Sequence, residues 1–178
     1  CGRPFSFVDC AVFDENDLPL GDGEVGEIVC RGPQTMAYYW NRAEATEKVF
    51  RNGWLHTGDL GYRDEDGFYY LVDRKNDMLI SGGYNVYPRE VEDVLMAYDG
   101  VLEAAVVGLP DEKWGDSIHA AVAVRDSETF NLDGLLGHAK AHLANYKKPK
   151  SIVVWDELPK SAANKILRRK VKERFMEN

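Results

Sequence analysis

The stretch from Gly53 to Gly83, GWLHTGDLGYRDEDGFYYLVDRKNDMLISGG, constrains the fold more than any other. At its centre Asp64-Glu65-Asp66-Gly67 lies between apolar-rich flanks, a strong short-range hairpin signal because Gly accepts the positive φ of a tight turn. A strand over 68–72 follows and ends on Asp73-Arg74. Upstream, Thr57-Gly58-Asp59 reads as a small-residue turn carrying a carboxylate, where Asp often bonds only its own backbone. The hairpin therefore brings Asp59 and Arg74 near its two open ends, within reach of one ligand. A carboxylate that accepts from hydroxyls and a planar cation with several donors suit a nucleotide ribose.

The 178 residues suit one or two small domains, burying roughly 70% of the unfolded surface. Hydrophobic residues at 44% and charged residues at 29% are ordinary for a soluble globular protein. No apolar run approaches the ~20 residues that span a bilayer, and no secretory leader is visible. A net charge of −8 argues against generic nucleic-acid binding. Cys1, Cys10 and Cys30 do not make a zinc pattern and read as reduced, partly buried thiols of a cytoplasmic protein.

Taken in order, 7–13 and 25–31 read as strands. Asn41, with Glu44 three positions on, reads as the cap of a short helix running to Val49, which Asn52-Gly53 breaks. With the hairpin this makes a small β-rich unit over 1–74. Beyond a polar connector at 75–76, Pro88 fits the first turn of a helix with Val91, Val94, Leu95 and Tyr98 on one face, ended by Gly100. Strands are expected at 102–109, 118–124 and 152–155. Asn131 caps a helix whose Leu132, Leu135, Leu136, Ala139 and Leu143 share a face, and Leu167, Val171 and Phe175 give a last amphipathic helix. The fold class is α+β: the β-rich subdomain, then a compact domain over 77–178 with a small mixed sheet and about three helices.

Five motifs occur in order: Thr57-Gly58-Asp59-Leu60, Asp73-Arg74-Lys75-Asn76-Asp77, Ser81-Gly82-Gly83-Tyr84, Tyr87 to Glu92, and Leu158 to Lys165. Together they resemble the adenylate-forming (AMP-binding) superfamily, of the acyl-CoA synthetase or fatty-acid–CoA ligase type. The family's phosphate loop does not occur, so the resemblance implies the C-terminal portion of a longer enzyme, inactive in isolation. It implies that Asp59 and Arg74 contact the ribose of AMP. Asn76, where the family usually has Asp or Lys, stands at the hinge between two arrangements of the domain over 77–178. Gly82 and Gly83, otherwise a bend between strand and helix, line the pantetheine tunnel. Lys165, otherwise one cation in the run Lys160, Lys165, Arg168, Arg169, Lys170, Lys172 and Arg174, becomes the catalytic lysine. A fixed ammonium there offsets the repulsion between substrate carboxylate and α-phosphate. Asn164 replaces the usual Gly before it, and Asn tolerates left-handed angles.

The implied function is ATP-dependent carboxylic acid:CoA ligation through an acyl-adenylate. Its partners are the acid, ATP and coenzyme A, with Mg2+ ligands outside this sequence and no nucleic acid. Alternatives are an adenylation domain that loads a carrier protein, or a non-catalytic nucleotide- or protein-binding module. His56, His119, His138 and His142 show no metal or triad spacing and are expected in surface or packing roles.

Overall fold

A computed structural model describes residues 2–177, so the Cys1 thiol lies outside the described residues. The chain divides into two compact units, Cys1–Asn76 and Asp77–Asn178.

In the first unit the elements are β1 (Asp9–Phe13), β2 (Gly26–Arg31), α1 (Ala43–Val49), β3 (Phe50–Arg51), β4 (Trp54–Arg63) and β5 (Tyr69–Arg74). They form one antiparallel sheet of order β1-β2-β4-β3, with β5 also paired to β4. The long β4 is its spine, pairing with β3 at its start and with β5 at its end. Three expectations are corrected here. Phe7 has a φ of 68°, outside strand geometry, so β1 begins at Asp9. Asn41, with a φ of 53°, forms the turn before α1 and does not cap it; Arg42 is the N-cap, without a side-chain bond. The Thr46 hydroxyl instead donates to the Arg42 carbonyl and accepts from Tyr39 N–H, each at 2.9 Å. Asn52-Gly53 does more than end the helix: its φ values of 51° and 79° make the tight turn joining β3 to β4. Cys10 and Cys30 face one another across β1 and β2 as free thiols, and burial pushes both up.

The second unit contains β6 (Leu79–Ser81), β7 (Tyr84–Val86), α2 (Pro88–Met96), β8 (Val101–Asp111), β9 (Gly115–Val124), α3 (Leu132–His142), β10 (Ser151–Trp155) and α4 (Arg168–Met176). Its sheet is mixed: β9 runs antiparallel to β8, parallel to β10, and meets β6 at Ser81 and Gly115. Alternate residues of β8 and β9 feed two cores, as a period of two requires. Ala104, Val106, Ala120 and Val122 pack with Val91 and Leu95 of α2 and Leu135 and Ala139 of α3. Ala105, Val107, Ala121 and Ala123 pack with Val171 of α4 and with Leu158, which follows β10. A sheet covered on both faces explains why its strands read as unbroken Val/Ala runs. A bulge between Val101 and Glu103 turns Leu102 outward, leaving it 55% exposed. The Asn131 side chain accepts from Gly134 N–H at 2.9 Å, the expected cap of α3.

These cores predict a contrast. Leu135, fully buried, should cost about 2–5 kcal/mol when changed to Ala, and exposed Leu102→Ala about 0.5 kcal/mol or less. Urea unfolding of the 178-residue chain checks both, and similar losses would contradict the two-core packing.

Candidate functional site

Asp59 does not lie in a free turn. The β2–β4 register jumps from Glu27 opposite Leu60 to Val29 opposite His56, so Thr57, Gly58 and Asp59 bulge out of β4. Gly58 takes a φ of 74°, a left-handed angle that disfavours a side chain. The Thr57 hydroxyl donates to the Ile28 carbonyl at 2.6 Å and accepts from Asp59 N–H at 3.1 Å. Beneath the bulge lies Glu27, 4% exposed. Its Oε1 accepts from Gly58 N–H at 3.1 Å, and its Oε2 lies 2.8 Å from Lys75 Nζ and 3.1 Å from His56 Nδ1. Arg51 pairs with Asp17 at 2.9 Å and approaches Oε2 at 3.6 Å. Burial pushes the Glu27 carboxyl up, but the bonds from Lys75 and His56 outweigh it and hold the group below the usual carboxylate range. The Asp17 carboxyl is likewise held low, chiefly by its bond from Arg51.

A separate shift in the β4–β5 register, between Leu60 and Gly61, sets Asp59 directly opposite Arg74, with Arg74 Nε 2.9 Å from Asp59 Oδ1. Their side chains are 27% and 63% exposed, so a ligand has access to both. A carboxylate beside a guanidinium can accept from vicinal hydroxyls while the cation donates to the same ligand.

Asn76 is exposed within a single 3₁₀ turn, Lys75–Asp77, between two anchored neighbours. Lys75 is bound to Glu27 within the first unit. Asp77 is bound within the second, with Arg168 Nη1 2.7 Å from its Oδ2. Arg168 also makes a two-pronged pair with the buried carboxylate of Glu92, at 3.1 and 2.7 Å, and Glu92 Oε1 accepts from Val106 N–H at 2.9 Å. One arginine thereby fixes the start of α4 and Asp77 to α2 and β8.

Gly82 and Gly83 join β6 to β7 as a hairpin, not a strand to a helix, because both adopt left-handed angles, 60° and 83°. Gly82 N–H donates to the Trp114 carbonyl at 2.9 Å, and a Cβ there would meet the Trp114 ring at 2.8 Å. At Gly83 a Cβ would have nothing within 4 Å, so that backbone is open to an incoming group.

Lys165 sits on a tight hairpin pinned by Leu158, 2% exposed, at its base. Lys160 pairs with Ile166, Ser161 N–H donates to the Lys165 carbonyl at 2.8 Å, and Asn164 takes the left-handed turn position at a φ of 58°. Lys160 is tied to Glu103 at 2.6 Å, whereas the exposed Lys165 ammonium makes no hydrogen bond or ion pair among the described residues.

Sequence reasoning missed Glu27 and gave His56 a bland role. The available signal was an acidic residue inside the strand 25–31, since Glu is rarely buried without partners. His119 lies between the Ser117 and Ser151 hydroxyls at 3.0 and 2.7 Å, and His138 stacks beside His142 on α3. Among the described residues no three His, Cys, Asp or Glu side chains converge as a metal site would, and no helix is long and apolar enough to cross a membrane.

The lowered Glu27 value gives a pH dependence with a definite sign. Its ionisation stabilises the fold fully above the ordinary carboxylate range, and that contribution is lost as pH falls through the folded value. Glu27→Gln should therefore be less stable than the parent chain at neutral pH, with the gap closing as pH falls below the ordinary carboxylate range. Urea midpoints across that range test it, and a constant gap would contradict it.

Residues 90–165 match the family described as AMP-binding enzyme C-terminal domain. The chain is 44% identical to a long-chain-fatty-acid–CoA ligase of Bacillus subtilis, over 99% of its own length and 32% of the relative's. It is 45% identical to a feruloyl-CoA synthase of an Amycolatopsis species, over 98% of this chain and 35% of that one. Among solved structures, the o-succinylbenzoate CoA synthetase of Bacillus subtilis, in complex with its acyl-adenylate intermediate, superposes with a TM-score of 0.89 at 42% identity, covering 96% of this chain and 35% of that one. The chain thus spans about a third of the length of the relatives it matches. It belongs to the adenylate-forming superfamily, and it corresponds to the C-terminal portion of that superfamily's acyl-CoA synthetases.

Proposed function

We propose that this chain serves an ATP-dependent carboxylic acid:CoA ligase, supplying the ribose clamp, the pivot and the mobile catalytic domain. The observation that carries this reading is the Asp59–Arg74 pair, set face to face on the bulged hairpin and accessible to a ligand. In the first half-reaction the substrate carboxylate attacks the α-phosphorus of ATP, and pyrophosphate leaves. Asp59 accepts from the ribose hydroxyls and Arg74 donates to the same sugar, which fixes the α-phosphate for in-line attack. Lys165, held on its hairpin with an unengaged ammonium, neutralises charge gathering between carboxylate and phosphate. Magnesium would accompany the triphosphate, held by residues outside this sequence.

In the second half-reaction a thiol attacks the acyl carbon and AMP departs. Asn76, between neighbours anchored in separate units, is the pivot that changes the arrangement. The open backbone at Gly83, on a hairpin closed behind Gly82 by Trp114, takes the pantetheine arm. Fatty or aromatic acids are the substrate class, by analogy with the relatives' names, and the free Cys10 and Cys30 suit a cytoplasmic setting.

The full-length protein, given ATP, CoA and a panel of fatty and aromatic acids, should release pyrophosphate and form a thioester. No acid-dependent pyrophosphate with any acid would contradict the ligase reading. Lys165→Ala should slow adenylate formation about 10²–10³-fold and leave thioester formation from preformed adenylate largely intact. Exposed Lys170→Ala should affect neither. Equal losses in both half-reactions, or equal losses in both variants, would overturn the role given to Lys165.

A further inference from the structure

One buried side chain touches both ends of the proposed clamp without belonging to it. Glu27 divides its two oxygens: Oε1 takes the N–H of Gly58, the residue before Asp59, and Oε2 takes the ammonium of Lys75, the residue after Arg74. Lys75 alone would satisfy the charge of a merely structural carboxylate, and the second oxygen would be free for any donor. Here it is spent on the one backbone N–H that sets where the bulge projects. Gly58, at a φ of 74°, has no side chain of its own to hold that conformation. A second restraint on the bulge is the Thr57 hydroxyl, bound to Ile28 and Asp59. His56, 5% exposed, places Nδ1 3.1 Å from Oε2 and 2.8 Å from Arg51 Nη2.

We propose that Glu27 is a positioning residue for nucleotide recognition, holding Asp59 and Arg74 at the spacing a ribose requires while touching no substrate itself. The proposal rests on the reading of Asp59 and Arg74 as ribose contacts. A carboxylate released by even ~1 Å loses much of its benefit as an oriented acceptor. Losing Glu27 should therefore weaken discrimination for the ribose hydroxyls more than it weakens catalysis in general.

The test compares kcat/KM for ATP and for 3′-deoxy-ATP in adenylate formation by the full-length ligase. The parent enzyme should prefer ATP by roughly 10- to 100-fold, the range for a charge-assisted hydrogen bond. Asp59→Ala should bring that preference close to one. Glu27→Gln, of the same size and chosen to preserve folding, and Lys75→Met should each lower it at least threefold. Both should raise the KM for ATP and leave the KM for the acid unchanged. In the 178-residue chain itself, hydrogen exchange at the Gly58 amide should quicken about tenfold or more in Glu27→Gln.

A purely structural role would scale both nucleotides equally, so an unchanged preference in Glu27→Gln and Lys75→Met overturns the proposal. So does unchanged Gly58 exchange. Where Glu27→Gln does not fold, Lys75→Met decides by the same ratio. If Asp59→Ala leaves the preference intact, the ribose reading falls and this inference with it. If Asp59→Ala abolishes the preference but the Glu27 and Lys75 variants do not move it, the positioning role alone fails.

Discussion

An ionised carboxylate buried in a sheet must be surrounded by donors, and that requirement organises the first unit. Glu27 is held by a backbone N–H, an ammonium and an imidazole, with a guanidinium close by. Leaving such a charge unpaired costs several kcal/mol, about 3–5 when one partner is removed. The partners come from β3, β4 and the turn that follows β5, so satisfying one side chain ties these segments to β2. The bulge follows: β4 departs from regular pairing with β2 where Gly58 N–H meets Glu27, and a shift in the β4–β5 register beside it sets Asp59 opposite Arg74.

The second unit repeats the device with the signs exchanged. Arg168 is half-buried and gathers Glu92 and Asp77, while Glu92 also receives the Val106 N–H. Lys75 is thus committed to the buried Glu27 and Asp77 to the half-buried Arg168, each in its own unit, and among the described residues Asn76 between them has no such partner. That local asymmetry, one exposed residue between two anchored neighbours, gives the proposed pivot its physical content. Hinges are short segments whose φ and ψ change while their flanks keep their packing.

Turn chemistry and periodicity made much of this legible in advance. Asp66-Gly67 announced a hairpin, and a hairpin sets the register of Gly61 to Arg63 against Tyr69 to Leu71. The shift between Leu60 and Gly61 that then brings Asp59 opposite Arg74 had no local signal. The face of α3 and the Asn131 cap followed from helical spacing. What stayed hidden depended on partners distant in sequence. The Gly58 bulge is made by a carboxylate 31 positions away, and nothing local distinguishes it from an ordinary turn. Asn41 resembles a cap until its left-handed angle is seen, and Ser81 to Tyr84 resembles a bend until β7 pairs back onto β6. The role of Lys165 rested on the family resemblance. The structure adds that its neighbour Lys160 is engaged with Glu103 while Lys165 is not.

The central claim, that the bulged hairpin is a ribose clamp, is tested most directly by a crystal structure of the full-length protein with AMP bound. The account predicts an Asp59 carboxylate oxygen within hydrogen-bond distance, about 2.6–3.2 Å, of each ribose hydroxyl. It also predicts Arg74 donating to the same sugar and Glu27 still bound to Gly58 N–H and Lys75. A ribose lodged elsewhere, with the Asp59–Arg74 pair closed on itself, would contradict it.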